Sequence, residues 1–244
     1  MDIKIIYEDK DVLVVDKPAG IVVFPEGESE RLFASRQKAA STLIDAFLEK
    51  YPEIAGVGNP PRYGIVHRLD KYTSGILLVA KNNESLKFLQ NQFINREVKK
   101  KYICLVEGNI KDDSGEIKTF IARSSRDPRK QTVYQLDESA PKSAREAITK
   151  YKVIKRYKDF TLLDVDIKTG RRHQIRCHFS YLQHPVSGDK LYGFKNSKTP
   201  EGLTRQFLHA KYLKIKLPNG KTKEFKSNLP KDLEKVLEKL EKYE

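Results

Sequence analysis

"EAITKYKVIKRYKDFTLLDVDIK", residues 146–168, decides the fold class. Two runs of β-favouring residues, 146–157 and 160–168, are separated by little more than the turn pair Lys158-Asp159, and so short a connection makes an antiparallel hairpin. The same signature recurs along the chain in "DVLVVD" (11–16), "GIVVF" (20–24), "GILLVAK" (75–81), "KYICLVEG" (101–108) and "KYLKIKL" (211–217). Turn signals at Lys17-Pro18-Ala19-Gly20 and Pro218-Asn219-Gly220 add further corners, so a largely antiparallel sheet is expected.

Helical periodicity is rarer. Residues 41–51 place Leu43, Ile44, Phe47 and Leu48 on one face with Ser41 as a cap, and residues 83–94 space Leu86, Leu89 and Phe93 likewise. Residues 171–183 do the same with Ile175, Phe179 and Leu182. From Asn228 onward, Leu229, Leu233, Val236, Leu237 and Leu240 form one apolar stripe between Lys and Glu residues. This mixture predicts an α+β protein, a largely antiparallel mixed sheet with flanking helices and loops. Residues 1–228 read as one domain, with an amphipathic helix over 229–244 packed on it. The Gly-, Pro- and charge-rich stretch 25–62 reads as a loop excursion apart from its helix.

The formal charge is +14, from 47 Lys and Arg against 33 Asp and Glu, and that excess points to a polyanionic partner, nucleic acid first. Cys104 and Cys177 form no C-x-x-C pair, which suits a reduced cytoplasm. No run approaches the roughly 20 apolar residues of a membrane span, and the N-terminus has no signal-peptide pattern.

Two clusters carry chemistry. In "GIVHRLDKYTSGILLVAK" (64–81), extended backbone puts Val66, Arg68 and Asp70 on one face and Ile65, His67 and Leu69 on the other. Thr73, Ser74 and Gly75 then turn the chain into an apolar strand. Alone, this describes a capped turn with a surface ion pair between Arg68 and Asp70. In "KTGRRHQIRCH" (168–178), Arg171, Arg172, His173 and Arg176 surround a helix start, where free amides and guanidinium groups make a phosphate site, or else a solvated basic face. Lys99, Lys100 and Lys101 precede Tyr102 at a strand start, where the ring could stack a base, and Arg126 and Arg129 lie in a further basic segment. The five histidines show no i, i+4 pair and no H-E-x-x-H, and no P-loop is present, so neither a metal nor a nucleotide cofactor is expected.

Together these segments resemble the RluA-type pseudouridine synthases. His67-Arg68-Leu69-Asp70 with Thr73-Ser74-Gly75 matches that family's H-R-L-D-x-x-T-S-G pattern, and Lys17-Pro18-Ala19-Gly20 its K-P-x-G turn. Thr169-Gly170-Arg171, His173-Gln174-Ile175-Arg176 and His178 match a third motif, followed by Gly188-Asp189, Tyr192-Gly193 and Leu208-His209-Ala210. The resemblance runs from about residue 5 to about residue 228. It implies a pseudouridine synthase catalytic fold with a central RNA-binding cleft and an isomerase that converts uridine to pseudouridine in structured RNA, favouring large-subunit ribosomal RNA, with transfer RNA as an alternative. By this resemblance Asp70 is the catalytic aspartate, Arg176 its ion-pair partner, Tyr102 the tyrosine beside the base, and Arg68 the filler of the space left by the flipped nucleotide. The RNA-binding set comprises His67, Arg68, Arg171, Arg172, His173, Lys99, Lys100, Lys101, Arg126 and Arg129. A cytoplasmic monomer is expected, its catalytic motifs starting without the small N-terminal RNA-binding module of many relatives. A catalytically silent RNA-binding protein on the same scaffold is the alternative. One departure stands out: Phe24-Pro25 occupies a place where the family often has His before the proline.

Overall fold

The computed structural model describes residues 3–25, 42–136 and 140–242. The protein is α+β, and its Cα atoms group into two compact units, Met1–Val98 with Leu213–Ser227, and Lys99–Tyr212 with Asn228–Glu244.

In the first unit β1 (Lys4–Glu8), β2 (Val12–Lys17) and β3 (Ser74–Ala80) pair antiparallel in sequence order, with Val14 opposite Leu78 and Lys17 opposite Gly75. β3 is buried along its whole length, as an apolar run with both faces covered should be. Helix α1 (Leu43–Lys50) is capped by Thr42 and Asp45 in a capping box, and helix α2 (Asn83–Ile94) by Asn82, whose side chain accepts from Ser85 N at 2.8 Å. Val12, Val14, Ile76, Leu78, Leu86, Leu89, Leu213 and Ile215 form one core between the sheet and α2.

Two local expectations change here. The proposed cap Ser41 lies outside the described residues, and Thr42 holds the N-cap position. "GIVVF" (20–24) forms no strand, because its carbonyls serve the helix that follows: Leu43 N donates to Val22 O at 2.9 Å and Ile44 N to Val23 O at 3.0 Å. Val23 and Phe24 are buried all the same, so the apolar run marks core without marking a ladder.

The second unit contains the hairpin that fixed the class. β7 (Arg145–Arg156) and β8 (Phe160–Ile167) pair antiparallel, with Lys152 opposite Asp164 and a bulge at 153–155 that turns Ile154 outward. β4 (Lys99–Glu107) adds to β8 with Tyr102 opposite Val165. β5 (Ser114–Arg123) adds to β7, and β6 (Gln131–Tyr134) to β5, both antiparallel. Neither β5 nor β6 stands among the expected strands. Helix α3 (Gln174–Tyr181) sets its buried Cys177 in a cluster with Ile121, Ala147 and Tyr192. β9 (Leu208–Lys216) runs from the second unit into the first, where β10 (Thr222–Lys226) pairs with it. Helix α4 (Lys231–Lys242) buries Leu233 and Val236 against Leu105, Phe160, Leu203 and Phe207, which is the packed amphipathic stripe its sequence encodes. Both cysteines are free and buried, and no helix among the described residues is long and apolar enough to cross a membrane.

Candidate active site

The first part of the site is built by the backbone around Asp70. Residues 64–66 lie against the end of β3: Ala80 N donates to Gly64 O at 2.8 Å, and Ile65 bridges Val79. Only glycine fits at position 64, where a Cβ would collide with the Ala80 carbonyl oxygen. The alternation then follows the period of two. Ile65 and Leu69 are buried, whereas Val66, Arg68 and Asp70 are half-buried on the opposite side. His67 turns back into the fold: its Nε2 accepts from Leu78 N at 3.2 Å and its ring stacks on Phe93 with centroids 4.9 Å apart. That bond fixes the neutral imidazole with its proton on Nδ1.

Asp70 sits at the start of a tight turn. Its carbonyl accepts from Thr73 N at 3.0 Å, and the buried Thr73 and Ser74 lead into β3. The turn is gripped from outside by the 17–21 segment. Lys71 O accepts from Gly20 N at 2.8 Å and from Lys17 Nζ at 3.2 Å, and Lys17 Nζ also donates to Pro18 O and Ile21 O at 2.8 and 3.0 Å. Lys17 is wholly buried, so its ammonium is satisfied by carbonyls rather than water. Gly20 adopts φ +91°, which a residue with a Cβ rarely does. Arg68 lies over Phe24, its Cζ 5.4 Å from the ring centroid, and Arg62 lies over the same ring at 4.9 Å. The departure from the family pattern at Phe24 therefore supplies an aromatic face that holds the Arg68 guanidinium.

In the second unit the basic strand and α3 divide their charges. Lys99 is exposed, and Lys101 pairs with Asp164 at 3.1 Å. Lys100 is buried, and that burial lowers its pKa to about 8 against the opposing pull of Asp166. Tyr102 is buried beside these lysines. Arg126 is exposed in the loop before β6, and Arg129 is gripped by Asp127 through Nε and Nη2 at 2.9 and 2.8 Å. Arg171 donates to Glu146 O at 2.9 Å, and Arg172 is half-buried. His173 is the N-cap of α3 in the left-handed region at φ +55°, with Nδ1 3.0 Å from the Tyr192 hydroxyl. The amide of Arg171, ahead of the N-cap, donates to the Gln174 side chain at 3.0 Å, and the His173 side chain makes no capping bond to the helix.

Arg176 is the most constrained of these cations. Its Nε and Nη2 donate to Asp189 Oδ2 and Oδ1 at 2.6 and 2.9 Å, with side-chain exposures of 8% and 0%, so the fork geometry is held away from water. Asp189 Oδ1 also accepts from Leu191 N at 2.9 Å and Tyr192 N at 3.1 Å, and the Tyr192 ring lies 5.1 Å from Arg176 Cζ. Beneath it, His178 is wedged between Thr119 and Thr149 hydroxyls at 3.0 and 2.8 Å, and burial lowers its pKa to about 4. Gln174 continues this buried chain to Thr149 and Thr169.

Sequence reasoning assigned no role to Asp189, Tyr192 or Lys17. Asp189 was legible only as part of the Gly188-Asp189 match to the family pattern, with no role attached, since nothing periodic links it to Arg176 thirteen positions earlier. Lys17 carried a weak signal, a lysine closing an apolar strand ahead of proline.

The sequence pattern of a family described as RNA pseudouridylate synthase matches residues 11–181, which include Asp70, Tyr102 and Arg176. An uncharacterized RNA pseudouridine synthase of Bacillus subtilis is 38% identical over 243 residues, covering 99% of this chain and 74% of that protein. One from Aquifex aeolicus is 44% identical over 203 residues, covering 82% and 59%. A ribosomal large subunit pseudouridine synthase D of Xanthomonas campestris is 35% identical over 250 residues, covering 98% and 69%. The chain thus spans 59% to 74% of the length of these relatives. Among solved structures, human RNA pseudouridylate synthase domain containing 4 superposes with a TM-score of 0.75 at 22% identity, covering 98% of this chain and 93% of that one, a likeness of fold.

Proposed function

The chain belongs to the RNA pseudouridylate synthase family, and from that premise we propose that it isomerises specific uridines in a structured RNA with Asp70 as the catalytic residue. The observation that carries the proposal is the construction around Asp70: a half-buried aspartate at the head of a turn that a buried lysine and a left-handed glycine grip and that leads into two buried hydroxyl residues. A surface capping aspartate needs no such framing.

In this reading the glycosidic carbon–nitrogen bond of the target uridine breaks, the uracil rotates, and a ring carbon bonds to the ribose and gives up its proton while the freed ring nitrogen takes one up. Electrons and atoms balance within the nucleotide, so the chemistry asks for a nucleophile, a base and shelter from water. A carboxylate that attacks must stay ionised, and a neighbouring guanidinium opposes the rise that burial would impose, typically by about 1–3 pKa units. We assign that role to Arg176, whose orientation is set by Asp189. Tyr102 is assigned to the target base, and Arg68, held over Phe24, to the gap left in the RNA when the nucleotide is flipped. Flipping costs a few kcal/mol, which contacts to phosphates from Lys99, Lys100, Lys101, Arg126, Arg129, Arg171, Arg172 and His173 offset, whereas His67, expected from the sequence to join them, is engaged by Leu78 N and Phe93 inside the fold.

Large-subunit ribosomal RNA is the substrate we favour over transfer RNA, because several relatives above 30% identity bear the name of ribosomal large subunit enzymes. The enzyme is taken to work as a cytoplasmic monomer without metal or cofactor, residues 1–228 supplying the catalytic motifs and the C-terminal helix supporting them. The test compares pseudouridine maps of cellular RNA with and without the gene, and conversion by the purified Asp70→Asn variant. Sites that vanish without the gene, and a variant that binds RNA yet converts none, are expected. Full activity in Asp70→Asn refutes the assignment, and RNA affinity without any lost site favours a silent RNA-binding protein.

A further inference from the structure

The turn that presents Asp70 also presents an aromatic ring that the chemistry above leaves unused. Tyr72 is 49% exposed, which leaves a large ring open to solvent two residues from the proposed catalytic carboxylate. The backbone under it is held by hydrogen bonds on both sides. Asp70 O and Thr73 N close the turn at 3.0 Å, and Lys71 O is held by Gly20 N and by the buried Lys17 ammonium. Residues 71 and 72 are thereby left at the tip of the turn with their side chains directed away from it. Lys71 Nζ stands 5.3 Å from the centroid of the Tyr72 ring, placing a cation next to the aromatic face.

From this geometry we infer that Tyr72 is a stacking platform for a nucleobase that flanks the target uridine, with Lys71 meeting the adjoining phosphate. The inference rests on the reading of this chain as an RNA uridine isomerase. A flipped nucleotide deprives its neighbours of a stacking partner, and a tyrosine on rigid backbone replaces it at the cost of ordering only two side-chain torsions. Stacking accepts any base, so Tyr72 contributes affinity and positions the strand while other contacts choose the sequence.

The experiment uses full-length protein and RNA from cells lacking the gene, read as pseudouridine formed. Tyr72→Ala is expected to raise KM by about 5- to 150-fold with kcat unchanged, the range that one lost base–aromatic stack gives. Tyr72→Phe and Tyr72→Trp retain wild-type KM, because the ring and not the hydroxyl does the binding. With the mapped uridine placed in a synthetic RNA hairpin, an abasic residue at one flank costs the wild type the same factor and costs Tyr72→Ala nothing more. A wild-type KM in Tyr72→Ala, a loss shared by Tyr72→Phe, or abasic losses that add in full at both flanks overturns the proposal. If the wild type converts no RNA, the isomerase reading has failed, and the stacking claim is judged by 2-aminopurine fluorescence in a bound RNA hairpin. Quenching by the wild type that Tyr72→Ala abolishes supports it, and no quenching by the wild type overturns it.

Discussion

Replacing Asp189 by asparagine tests whether the Arg176 guanidinium, proposed to support Asp70, depends on a carboxylate thirteen residues further along the chain. Asp189 has no side-chain exposure, and its two oxygens accept from Arg176 Nε and Nη2 and from the amides of Leu191 and Tyr192. Asparagine keeps the volume but removes the charge, and its NH2 group faces donors with nothing to accept. Stranding a buried guanidinium in this way costs about 3–5 kcal/mol. This removes between about a fifth and all of a typical total stability of about 5–15 kcal/mol and lowers the melting temperature by about 6–20 °C for a chain of this size. The chain has no tryptophan, so urea unfolding is followed by far-ultraviolet circular dichroism and tyrosine fluorescence. The cycle is completed with Arg176→Met, Asp189→Leu and the double variant. Removing both charges together relieves the stranded ion, so the double variant should be more stable than the sum of the single losses allows, while pseudouridine formation stays lost. An Asp189→Asn protein within about 0.5 kcal/mol of wild type, or single losses that simply add, would refute the reasoning.

Two pH effects follow from buried basic side chains in the second unit. His178 titrates near 6.5 when unfolded but only at about 4 in the fold, because burial disfavours its charged form. The unfolded chain therefore binds the extra proton between these values. Stability from this site is fully present above about pH 6.5 and falls by up to about 3 kcal/mol as pH drops toward 4, which urea midpoints will show as a slope that His178→Gln flattens. Lys100, lowered to about 8 by burial, should be pulled back up by a nearby RNA phosphate. RNA affinity is then expected to weaken between pH 7 and 9 in the wild type, and a titration curve for Lys100→Met that follows the same course would show that Lys100 lies away from the RNA.

The α+β class was legible in residues 146–168 because a hairpin is a local object: a period of two on each arm and a turn between them suffice, and β7 and β8 form accordingly. The stripe on α4 was legible for the same reason, since 3.6-residue periodicity is written within one helix. "GIVVF" misled because an apolar run reports burial, while whether its carbonyls meet a strand or the start of α1 depends on a segment some twenty residues away. His67 shows the same division within the site, since its position in H-R-L-D was plain but the bond to Leu78 N and the stack on Phe93 needed β3 and α2 in place. By itself the sequence determined the elements, the excess of positive charge and the family motifs that nominate Asp70, Tyr102 and Arg176. Only the tertiary structure decided that Lys17 fastens the turn after Asp70, that Phe24 holds Arg68 and that Asp189 orients Arg176. Those are contacts between residues that no local period relates, made by folding distant segments into reach and stabilised by burial that a linear pattern does not record.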